Sequence, residues 1–140
     1  MKINKLLIFL IFLLIIVNFR IYAENNIYIA YKVENEVITN IDIKNESKYL
    51  MALNKQLKNI DKNKILVIAT ESIIKEKIKE IELLRYYNLD QKNPYLKKVI
   101  KDFYSKLNLN SQSEFENYLK EYGLTIKEVM KKIEIETVWN

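Results

Sequence analysis

Neither cysteine nor histidine occurs among the 140 residues, and glycine and proline occur once each. Without cysteine there are no disulfide staples, so any stable fold has to come from packing alone. Without either residue, thiol nucleophiles, histidine proton shuttles and the usual zinc sites are excluded. A single glycine cannot build a phosphate-cradling loop, and the scarcity of both turn formers argues against an all-β fold. Carboxylates remain, but the pairs Glu34/Glu36 and Glu134/Glu136 fall in polar surroundings. Solvation is their expected role, because acid–base work needs a buried cleft. The reading is therefore of a chain that is not an enzyme, with no catalytic residue, no metal and no cofactor.

The first residues stand apart from the rest. Lys2 and Lys5 precede an apolar run at residues 6–17, and the small residue Ala23 closes a short polar stretch. This is the three-part pattern of a secretory signal peptide, with cleavage expected after Ala23. The run falls short of the ~20 residues that span a bilayer, so an uncleaved anchor is the weaker alternative. The reading divides the chain into a signal at 1–23 and one domain at 24–140. Lys2, Lys5 and Arg20 leave with the signal and take no acid, so 23 basic against 18 acidic residues become 20 against 18. A net charge near +2, with lysines alternating with glutamates, gives no electrostatic footprint for nucleic acid.

Residues 27–43, IYIAYKVENEVITNIDI, hold the convincing strand pair. Ile27, Ile29, Tyr31 and Val33 alternate with period 2, which puts them on one face of a strand. Glu34-Asn35-Glu36 breaks the run, with Asn35 the expected left-handed residue of a hairpin loop. A return strand, 37–39, hands over to a helix through Thr39 and Asp42, a weaker relative of the capping box. Two strands alone are marginal in water, so the hairpin must lie on helices or find a further strand.

Everything downstream reads as helix. Ile43, Leu50, Leu53, Leu57 and Ile60 recur at helical spacing, predicting a helix over 40–58. Ile74, Ile78, Ile81 and Leu84 continue an apolar start at 65–69 into one long helix over 64–87, with Asn88 as its left-handed stop. Asn93 caps and Pro94 opens a third helix that carries Leu96, Val99, Ile100, Phe103 and Leu107 and frays by Asn108. Ser111 with Glu114 predicts a full capping box for a fourth, which ends at Gly123 in a left-handed cap. Thr125 with Glu128 starts a fifth, which reaches Trp139 without a stop signal. The expected fold is mainly α, about five helices packed together with a small N-terminal β-hairpin.

A signal peptide, KVENEVIT leading into NIDI, the long ATESIIKEKIKEIELL helix and the late FENYLKEYGLTIKEV pair together resemble the N-terminal domain of the SurA family of periplasmic chaperones and peptidyl-prolyl isomerases. The likeness covers nearly all of residues 27–140. It implies a periplasmic domain that holds unfolded outer-membrane or other envelope proteins, with parvulin domains to follow that are not in this sequence. Isomerase activity therefore transfers to no residue here. The expected partners are unfolded polypeptide clients, with no nucleic acid, no small-molecule substrate, and a second copy of the chain over any apolar groove left open. Two other readings stand beside it: the front of a longer parvulin-type isomerase, and a membrane-tethered envelope assembly protein.

Among the ten tyrosines, Tyr86, Tyr87, Tyr104, Tyr118 and Tyr122 lie on or beside apolar stripes and are the candidate client-binding residues. A flat ring with a polar tip suits adaptable contact with apolar peptide. The same positions also suit core packing, and both roles remain open at this stage.

Overall fold

The computed structural model describes residues 26–89 and 94–140. The expected signal peptide and the Asn93 cap lie outside these residues. A two-stranded antiparallel hairpin, β1 (Ile29–Val33) and β2 (Glu36–Thr39), leads into five helices. They are α1 (Asn40–Leu53), α2 (Lys62–Leu84), α3 (Pro94–Lys106), α4 (Gln112–Glu121) and α5 (Ile126–Trp139), with a 3₁₀ turn at Lys55–Asn59 after α1. The mainly helical fold with a small N-terminal hairpin is the one the apolar spacing predicts.

Local chemistry explains most boundaries. Thr39 and Asp42 form a complete reciprocal box: the Asp42 amide donates to Thr39 Oγ1 at 3.2 Å, and the Thr39 amide to Asp42 Oδ2 at 2.8 Å. The box is stronger than the sequence suggests, because a shorter aspartate reaches as well as glutamate here. Thr125 and Glu128 form a second such box. The Ser111 box is incomplete, since Glu114 turns away from Ser111 and accepts from the Asn110 amide at 2.9 Å. α1 stops at Leu53, short of the predicted 58, because Asn54 goes extended and its side chain caps the 3₁₀ turn through the Gln56 amide.

Two helices end in Schellman motifs, each with one residue in the left-handed region. Gly123 has φ +68, and the Gly123 and Leu124 amides donate to Lys120 and Leu119 carbonyls. Asn108 has φ 61, with the Asn108 and Leu109 amides returning to Ser105 and Tyr104. Asn88 does not take this role. α2 ends earlier, at an Arg85 cap in the right-handed region. In the hairpin loop it is Glu34, with φ 52, and not Asn35, that goes left-handed.

The main core joins Tyr49 and Ala52 of α1, Leu96 and Ile100 of α3, Phe115 and Leu119 of α4, Leu124, and Val129 and Ile133 of α5. α2 lies across α1 and α5 and buries Ile65, Ala69, Ile73 and Leu83. The hairpin rests on α1 and α2 through β2, whose Ile38 is fully buried, and finds no third strand among the described residues. A bulge between Ile29 and Tyr31 breaks the period-2 face of β1. As a result Ala30 and Val33 turn partly inward while Ile27, Ile29 and Tyr31 stay exposed. No helix among the described residues is long and apolar enough to cross a membrane.

Candidate functional site

The five tyrosines singled out by sequence separate into two groups. Tyr86 and Tyr87 follow α2 on a backbone held by their own amides, which donate to the Leu83 carbonyl at 3.0 and 2.8 Å. Their rings are 78% and 59% exposed. With Leu83 and Glu82 of α2 and Val138 and Trp139 of α5 they line a cleft of about 460 Å³. Trp139, itself 45% exposed, sits 6.0 Å from the Lys79 ammonium, which also bonds Glu136 at 2.6 Å. α2 and α5 are thus tied together next to the cleft. On the other side, Arg85 bonds Glu34 of the hairpin loop at 3.0 Å and Glu82 at 3.2 Å. Three aromatic rings are therefore presented on ordered helix ends, a placement typical of protein-binding surfaces.

Tyr104, Tyr118 and Tyr122 are half-buried and pack against the core. The Tyr104 ring stands 6.1 Å from Phe115. Tyr118 donates its hydroxyl to the Ala52 carbonyl at 2.7 Å, so the 3.1 Å contact with Tyr122 leaves Tyr122 as donor. Burial pushes the Tyr118 hydroxyl up, as does its bond to Tyr122. Lys55 and Lys58 cover the two rings at 5.8 and 4.7 Å. Tyr118 joins α4 to α1 and Tyr104 packs α3 on α4, and none of the three is brought together with Tyr86 and Tyr87 around one cleft.

A groove between helices also exists, of about 410 Å³, and none of the five candidate tyrosines lines it. Leu50 and Leu53 of α1, Val99 and Phe103 of α3 and Ile133 of α5 line it, with Tyr49 the one tyrosine. One side is charged. Glu46 is 1% exposed and accepts from Ser72 Oγ at 2.7 Å and from Lys132 Nζ at 2.8 Å, and Lys132 also bonds Glu76. The Lys132 ammonium lies 5.2 Å from the Tyr49 ring centre. Burial alone pulls Lys132 down, but Glu46 and Glu76 outweigh it and hold the ammonium above its usual range. Burial pushes the Glu76 carboxyl up, against the opposing pull of Lys132. For Tyr49, burial and the Glu46 charge both act to keep the phenol protonated.

This charged cluster ties α1, α2 and α5 together. Lys132 is held protonated between Glu46 and Glu76, and the Ser72 hydroxyl donates to Glu46. Among the described residues no group of three or more acids could hold a metal ion. Sequence reasoning passed over Trp139 as a site residue and missed the Glu46–Lys132 pair altogether. The pair spans 86 positions, beyond any local periodicity. Comparison with protein-family models, with curated proteins and with solved structures finds no significant match to this chain.

Proposed function

We propose that the chain is a non-catalytic, chaperone-type module that binds unfolded envelope polypeptides in the periplasm, as its resemblance to the SurA N-terminal domain implies. The observation that carries this reading is the exposed Tyr86–Tyr87–Trp139 cleft. Large aromatic surface left in water at ordered helix ends has no role in the core, and it suits transient capture of apolar, extended segments. Its modest size fits weak, repeated contacts and not a tight, specific complex.

Light scattering by a denatured outer-membrane protein diluted into buffer tests the reading. Stoichiometric full chain is expected to suppress aggregation. The variant carrying Tyr86→Ser, Tyr87→Ser and Trp139→Ser loses most of that suppression, while its unfolding midpoint stays close to wild type, since surface substitutions usually change stability by about 0.5 kcal/mol or less. A folded wild type with no suppression, or a triple variant that suppresses equally well, refutes it.

A further inference from the structure

Cations are sorted between two sides of the molecule. On the side where α2 meets α5 and the hairpin loop, Lys77, Lys79, Arg85, Lys131 and Lys132 each pair with a carboxylate. Where α1 and the start of α2 meet the turn between them, Lys44, Lys48, Lys58 and Lys62 line a second, larger pocket of about 630 Å³. None of these four has an ion pair among the described residues. Lys48 bonds neutral Asn45 at 3.3 Å, and Lys58 lies over the Tyr122 ring. Among the described residues no carboxylate lines the pocket. The nearest acids in sequence are committed elsewhere, Asp42 and Asp61 to the N-caps of α1 and α2 and Glu46 to Ser72 and Lys132.

The floor is apolar, formed by Met51, Ile60, Ile65 and Leu66. Its volume is within the ~300–1,000 Å³ of small-ligand sites. Besides the lysines and the Tyr28 phenol, the polar groups facing it are already bonded. Asn40 accepts from the Tyr28 amide at 3.0 Å and donates to the Asn26 carbonyl at 3.0 Å, and Ser47 donates to the Lys44 carbonyl at 2.7 Å. A peptide would bring amides into this pocket with few partners to meet them, which is unfavourable. A hydrocarbon chain brings none.

We infer that this pocket binds a single-chain anionic amphiphile, a fatty-acid-type carboxylate, with its chain on the Met51–Leu66 floor and its head among Lys44, Lys48, Lys58 and Lys62. The site is independent of the aromatic cleft and of the chaperone reading. It was not legible as a motif, because its lysines come from three separate elements.

Calorimetric titration of the full chain with dodecanoate, below its micellar concentration and at low salt, tests the inference. Each buried methylene contributes roughly fourfold in affinity, so dodecanoate is expected to bind at least ~10-fold more tightly than octanoate. Losing two charge-assisted contacts in Lys44→Gln/Lys62→Gln weakens dodecanoate by about 10-fold or more. Neither side chain has a structural partner among the described residues, so the fold is retained. The same charge removed from exposed positions of α3, in Lys97→Gln/Lys101→Gln, has little effect. In amide spectra, Met51 and Leu66 shift on titration and move back in the pocket variant. The inference is overturned if the full chain does not bind dodecanoate, if dodecanol binds equally well, or if both lysine pairs weaken binding alike. Tighter binding of an acidic apolar decapeptide at the same resonances also overturns it, in favour of a peptide site.

Discussion

Replacing Lys132 by methionine asks whether the charges between α1, α2 and α5 stabilise the fold as a unit. The side chain is 18% exposed, and it faces Glu46 at 1% and Glu76 at 15%. Methionine fills much the same volume but leaves two carboxylates without a counter-charge. Breaking a buried pair from one side costs about 3–5 kcal/mol. Glu46 keeps the Ser72 hydroxyl and Glu76 keeps some water, which places the expected loss near the lower end, ~3 kcal/mol. Against a total of roughly 5–15 kcal/mol for a domain, this is a large fraction, visible as a lower urea midpoint by helical circular dichroism. The pH dependence discriminates further. In the variant the Glu76 carboxyl, already raised by burial, loses the opposing pull of Lys132, so its part of the penalty is full at neutral pH and shrinks as it protonates on acidification. In wild type, the raised Lys132 value means that its contribution is complete below the unfolded lysine value near ~10.4 and is lost as pH rises through the folded value. Adding Glu46→Gln and Glu76→Gln to Lys132→Met recovers stability to within ~1 kcal/mol of wild type, because the desolvation penalty goes with the pair. A single variant within ~1 kcal/mol of wild type at pH 7, or a loss that is the same at pH 4, refutes the reasoning.

Two further substitutions test the helix ends. Gly123→Ala puts a β-carbon at φ +68, where it meets only Lys48 Nζ at 3.8 Å. Backbone strain alone then sets a loss of ~1–2 kcal/mol in urea unfolding, and a much larger loss means that packing there is tighter than the geometry shows. Thr125→Ala removes the hydroxyl that caps α5 and costs about 1 kcal/mol. The Thr125 hydroxyl, then its amide, hold the Glu128 carboxyl below its usual range, so this stabilisation is present above the unfolded glutamate value and fades as pH falls through the folded one. The gap between the unfolding midpoints of wild type and variant should narrow in acid, leaving the part due to the hydrogen bond from the Glu128 backbone amide to Thr125 Oγ1.

Elements whose cause is local were legible from the sequence. Thr39, Ser111 and Thr125 all cap helices where their spacing to an acid predicted it, and Gly123 ends α4 in the expected conformation. Errors arose where two local solutions compete. Asn54 can continue α1 or cap the turn after it, and capping wins. Glu34 takes the left-handed position beside an asparagine better suited to it, in the structure where its carboxylate also meets Arg85 51 positions away. The β1 alternation was real as a pattern, yet a bulge at Ala30 broke its phase, and no composition rule reports a bulge.

Charge shows most clearly what local reading misses. Lysines alternating with glutamates read as solvated helix faces, because a sequence exposes only i,i+3 and i,i+4 neighbours. In the fold the decisive pairs are distant: Lys79 with Glu136 across 57 positions, and Lys132 with Glu76 and Glu46 across 56 and 86. Each such pair uses a carboxylate from one helix to neutralise a cation on another, so α2 contributes Glu76 and Glu80 to α5 and receives Glu136 for Lys79. The acids of α2 and α5 are thereby drawn to their shared face. Lys44, Lys48, Lys58 and Lys62 are left facing an apolar floor that has no carboxylate among the described residues. Charges that alternate along the chain are thus compatible with a strongly cationic pocket, and their interleaving places no limit on a small anion at that one site.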